Sequence, residues 1–125
     1  LNITFRTELN ETGDPIIDRE FINNIYKNAS QGAQKDLLVF SEEQNVSSDL
    51  MGYQAAIIIE GVENHNRTGF LNIAADTLRE SGIDTQQDVN IPVTHAKIFG
   101  WYDNEFGNYV NCLGKLSVYV EKNMV

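Results

Sequence analysis

Two short apolar runs constrain this chain more than anything else in it. Leu37-Leu38-Val39-Phe40 and Ala55-Ala56-Ile57-Ile58-Ile59 are each bounded by polar residues, and runs of this length are too short to nucleate a helix in water. Unbroken aliphatic and β-branched side chains suit a strand covered on both faces. The first run predicts a buried central strand, and the second a buried strand ending at Gly61. A sheet must therefore organise the fold, and the rest of the chain has to flank and cover it.

Residues 1–9 alternate, with Ile3, Phe5 and Leu9 on one side and Asn2, Thr4, Arg6 and Glu8 on the other, the period of a half-buried strand. Residues 10–13 supply a turn. Asp14-Pro15 reads as a helix start, with aspartate as cap and proline at the first helical position. Ile17, Phe21, Ile22, Ile25, Tyr26 and Ala29 then recur at helical spacing to about Asn28, before Gly32. After a polar loop over 41–49 and the second apolar run, residues 71–81 predict a short helix stopped by Gly82. Residues 91–101 read as one strand, opened by an edge-compatible Pro92 and apolar on both faces. From Glu105 the pattern is helical, with Phe106, Tyr109, Val110, Leu113, Leu116 and Val120 on one face and Asn111, Lys115 and Lys122 on the other. Without an internal repeat or linker, this order predicts an α+β fold: a mixed, mainly antiparallel sheet with helices packed on one face, ending in a C-terminal helix.

A chain of 125 residues, 42% hydrophobic, has material for one modest core. Its 18 acidic residues outnumber 9 basic ones, and a net charge of -9 argues against nucleic acid and anionic membranes as partners. No apolar run approaches the roughly 20 residues that span a bilayer, and residues 1–4 lack the basic start of a signal peptide. Cys112 is the sole cysteine, which rules out an intrachain disulfide and fits a reducing cytoplasm. The start on a strand, without methionine, reads as a piece of a longer chain.

Few residues carry chemistry by themselves. Cys112 has no histidine at helical reach and reads as a packing thiol. His65 and His95 show no ligand spacing, so no metal site is expected. Glu60, Glu63 and His65, interrupted by Gly61, read as a solvated turn, and Ser47 and Asp49 as turn and cap residues.

The string Trp101-Tyr102-Asp103-Asn104-Glu105-Phe106-Gly107 is different. With Asn45-Val46-Ser47-Ser48-Asp49 and the strand over 1–9 in the same order, it resembles the glyceraldehyde-3-phosphate dehydrogenase family, in the C-terminal part of the catalytic domain. The resemblance implies that 1–125 is the C-terminal portion of that domain, without the nucleotide-binding domain. It implies a cytoplasmic, glycolytic, phosphorylating aldehyde dehydrogenase using NAD or NADP, with Asn104 as the cofactor-binding residue beside the nicotinamide. It also implies that the nucleophile cysteine, the histidine base and the dinucleotide loop lie upstream, so the isolated chain holds no catalytic residue and is inactive. The implied partners are the missing N-terminal half and further copies in a homo-oligomer. An asparagine amide complements a carboxamide, donor to acceptor. The bland reading is that Asp103 or Asn104 caps the last helix, with Trp101 and Tyr102 as core and rim. Two departures stand out: Asn108 where many members carry tyrosine, and an apparent insertion over 63–90. The rival to the enzyme reading is a non-enzymatic α+β module that self-associates or binds a partner.

Overall fold

The computed structural model describes residues 1–124, apart from the side chain of Asn108. In chain order the elements are β1 (Asn2–Arg6), α1 (Arg19–Gln31), β2 (Leu38–Ser41), a 3-10 turn (Ser47–Leu50), β3 (Ile57–Glu60), β4 (His65–Ile73), α2 (Ala75–Glu80), β5 (Val89–Lys97), β6 (Gly100–Trp101) and α3 (Asn108–Asn123). The fold is α+β, ends in a helix, and three of its four strand pairings are antiparallel. The strands form two three-stranded sheets rather than one. Each sheet lies in its own compact unit, the first made of Leu1–Arg19 and His65–Lys97, the second of Glu20–Asn64 and Ile98–Val125.

In the first unit β5 is central, with β1 and β4 antiparallel on either side. Thr94 and Ala96 are its most buried residues, and the Thr94 hydroxyl meets that of Thr68 at 2.7 Å. Pro92 is tolerated in the middle strand because the β1 ladder stops at the pair Arg6 and Val93; beyond it the Pro92 carbonyl still accepts from Thr7 N at 3.0 Å. The Asp14-Pro15 helix start is corrected. Asn10 Oδ1 accepts from Thr12 N and Asp14 N, and Pro15 bridges Leu9, so the dipeptide closes a turn and α1 begins at Arg19. The apparent insertion over 63–90 is ordered as β4, α2 and the first residues of β5. Residues 71–73 belong to β4, and the helix expected over 71–81 is α2 alone. Gly82 stops it as expected, at a φ of 86°. β4 escapes pattern reading because it is mostly exposed and polar, with Gly69 at its middle.

In the second unit β3 is central, parallel to β2 and antiparallel to β6. Ile58 and Ile59 form the core with Ile22, Leu50, Ala55 and Ile98. The expectation that Leu37–Phe40 is the central strand is corrected: β2 is a half-buried edge, and its aromatic ring lies over the turn after β3, where a Cβ on Gly61 would sit 2.3 Å from Phe40 Cζ. The strand expected over 91–101 breaks at Ile98-Phe99. Phe99 donates its N–H to Asn64 Oδ1 and its carbonyl accepts from Glu60 N, so the backbone changes partners there and continues as β6. On α1 one ridge is covered, through Ile22, while Phe21 and Ile25 stay exposed. On α3 no described apolar side chain is buried; Leu113 and Leu116 are more than half exposed.

Candidate functional site

Within the second unit, two loops converge. The first is the Val-Ser-Ser-Asp segment, where Val46 N donates to Asp49 Oδ2 and Asp49 N to the Val46 carbonyl, both at 2.9 Å. This closes a 3-10 turn and makes Asp49 the turn and cap residue expected. Leu50 anchors the turn in the core. The second is the Trp-Tyr-Asp-Asn-Glu string, which leaves β6 at Trp101. Ser47, Ser48, Leu50 and Met51 from the first and residues 101–105 from the second line a cleft of about 400 Å³. Two of the three segments on which the family resemblance rests are thus brought together.

Asp103 organises the string. Its Oδ1 accepts from Glu105 N at 2.8 Å and Phe106 N at 3.2 Å, and its Oδ2 accepts from Gly52 N at 3.3 Å. The Glu105 amide first, then those of Phe106 and Gly52, hold its carboxyl below the ordinary 3.8. Gly107 is buried and has no room for a side chain, since a Cβ there would lie 2.6 Å from the Tyr53 carbonyl oxygen. Asn111 Nδ2 donates to the Gln54 carbonyl at 2.8 Å from the first turn of α3. Loop 52–54 and the string are therefore clasped together at three points.

The amides of the string are served by Asp103, not Asn104. Asn104 is exposed at the cleft, and its amide makes no hydrogen bond among the described residues. Ser47 and Ser48 face the same cleft with exposed hydroxyls. The charged lining is acidic, Asp103 and Glu105, with no lysine or arginine. Such a surface repels a phosphate.

One residue changes its meaning. Glu60, read from the sequence as part of a solvated turn, is 3% exposed. Its Oε2 accepts from Trp101 Nε1 at 2.5 Å and its Oε1 from Asn45 N at 2.7 Å. The apolar run leading into Glu60 could have hinted at burial, but no local signal gives its partners. Glu63 is exposed in the turn expected, whereas His65, also exposed, is the first residue of β4 and pairs with Lys97. His95 lies in the first unit, its Nδ1 2.8 Å from Thr4 Oγ1. Cys112 is half-buried on α3. Among the described residues no group of histidine, cysteine and carboxylate side chains is arranged to hold a metal ion, and no helix is long and apolar enough to cross a membrane. The side chain of Asn108, the departure from tyrosine, lies outside the described residues.

No protein-family profile matches the chain. Curated relatives do. It is 30% identical over 88 residues to a glyceraldehyde-3-phosphate dehydrogenase of Lyophyllum shimeji, covering 70% of this chain and 19% of that protein. It is 30% identical over 92 residues to one of Borreliella burgdorferi, covering 73% and 20%, and 29% identical over 104 residues to glyceraldehyde-3-phosphate dehydrogenase 2 of Streptomyces avermitilis, covering 83% and 24%. The relationship is to an oxidoreductase family. The chain is a relative of the glyceraldehyde-3-phosphate dehydrogenases, as its motifs implied, and spans about a fifth to a quarter of the length of the curated relatives it matches.

Proposed function

We propose that residues 1–125 are the C-terminal portion of the catalytic domain of an NAD-dependent, phosphorylating glyceraldehyde-3-phosphate dehydrogenase, and that Asn104 orients the nicotinamide. The observation that carries this reading is the division of labour in the string: Asp103 accepts from the Glu105 and Phe106 amides, while the exposed Asn104 side chain at the cleft makes no hydrogen bond among the described residues. When bound, NAD supplies a hydride acceptor. This chain's part is to orient it. An amide fixed on a clasped loop can pair donor to acceptor with a carboxamide and so select the ring face presented to substrate. Near-attack geometry of that kind removes much of the entropic barrier to transfer. The nucleophile and base lie outside this chain, so the chain alone is inactive.

On this reading the protein is a cytoplasmic, glycolytic homo-oligomer, and the rest of the longer chain covers the exposed apolar face of α3. That same face is what the rival, a self-associating module, would use, but the module gives the uncommitted amide at the cleft no role. The test is Asn104→Ala in the full-length protein. KM for NAD should rise about tenfold, the equivalent of a lost hydrogen-bonded pair at about 1.4 kcal/mol. Unchanged NAD kinetics would sink the assignment.

A further inference from the structure

Glu60 is the sole buried charged side chain among the described residues. A carboxylate in that position is costly unless its oxygens are hydrogen-bonded, and an apolar residue would serve packing as well or better. Both its oxygens are engaged, and their donors come from the two segments that border the cleft. Asn45 N leads into the Ser47-Ser48 wall, while Trp101 Nε1 opens the wall that carries Asn104. Next to it, buried Asn64 accepts from Phe99 N at 2.7 Å and donates to Asn23 Oδ1 at 2.9 Å, fixing the backbone that feeds Trp101. One side chain therefore ties the two segments together.

We infer that Glu60 is a positioning residue, which sets the gap between the serine wall and Asn104 and thereby the orientation of a bound nicotinamide. The inference rests on the reading of the cleft as the nicotinamide site. It also explains why the residue is an acid and not an amide. Two N–H donors converge on it, and a glutamine has one acceptor; its NH₂ would face the other donor.

The test is Glu60→Gln, nearly unchanged in volume. Trp101 is the only tryptophan in residues 1–125, so the part of the full-length protein's emission that is lost in Trp101→Phe reports the anchor, and Glu60→Gln should shift that part and increase its quenching by acrylamide. In the full-length protein, Glu60→Gln should raise KM for NAD about tenfold with kcat nearly unchanged, as loss of uniform binding does. Combined with Asn104→Ala, it should add less than its single effect, because both act on one contact. A merely structural Glu60 would lower stability and active fraction without moving KM. Should Glu60→Gln not fold, Trp101→Phe removes the same donor while keeping an aromatic ring, and the same rise is expected. Unchanged Trp101 emission overturns the anchor. An unchanged KM in Glu60→Gln or Trp101→Phe, with a raised KM in Asn104→Ala, overturns the inference and leaves the cleft reading standing. An unchanged KM in Asn104→Ala as well overturns both.

Discussion

Gly107→Ala is the sharpest test of how the cleft is built. The added methyl would sit 2.6 Å from the Tyr53 carbonyl oxygen and 3.1 Å from both Gly52 C and Gly52 Cα. All three are backbone atoms, so no rotamer change relieves the clash. Either loop 52–54 or the start of α3 has to move, and movement strains the Gly52 N to Asp103 and Asn111 to Gln54 hydrogen bonds. Overpacking of this kind costs about 1–3 kcal/mol. At about 2 kcal/mol, and with roughly 4 °C lost per kcal/mol at 125 residues, Tm should fall by about 8 °C. Thermal unfolding followed by circular dichroism measures it. Gly114→Ala provides the control of opposite sign. Nothing lies within 4 Å of a Cβ there, and relief of helix entropy should stabilise by up to about 1 kcal/mol. If Gly107→Ala melted with the wild type, or both variants shifted Tm alike, the clasp would not exist as described.

Asp103 makes stability depend on acid. Its folded-state pKa lies below the unfolded one, so its contribution is fully present above the unfolded value near 3.8 and is lost as pH falls through the lower folded value. The stability difference between wild type and Asp103→Asn should therefore shrink from about pH 6 to about pH 2, and a pH-independent difference would refute the amide-cap account. Asn104→Ala should leave Tm nearly unchanged, within about 0.5 kcal/mol, because the side chain is exposed and uncommitted. A larger loss would return Asn104 to a purely structural role.

What could be read from the sequence was local. Ile57–Glu60, the stop at Gly82 and the last helix each carry their own signal in neighbouring residues, although that helix begins at Asn108 and not at Glu105, because Asp103 holds the Glu105 and Phe106 amides in a turn. What could not be read depended on partners far along the chain. β4 is a strand because β5 supplies nine partners for it, not because of its own mostly polar residues. The Asp14-Pro15 pair has the residues of a helix start, yet the side chain of Asn10 and a bridge to Leu9 claim it for a turn. In the site, Asn104 is singled out by the resemblance of the string to a family and not by its residue type, which by itself suits a helix cap. Glu60 stayed hidden because its donors lie 15 and 41 positions away.

The interleaving of the two units has a consequence for how the chain comes to be folded. Asn2 pairs with Lys97, and the second unit takes its strands from both sides of that closure. Neither unit is a continuous stretch of chain, so during synthesis β1 must wait, unpaired, until nearly a hundred residues have emerged. Closing a loop of that size costs entropy before it returns contacts, which makes folding slow and exposes an edge to the wrong partner meanwhile. No single cut frees either unit intact. Failure of either half to fold when the chain is divided between residues 20 and 97 is what such wiring predicts.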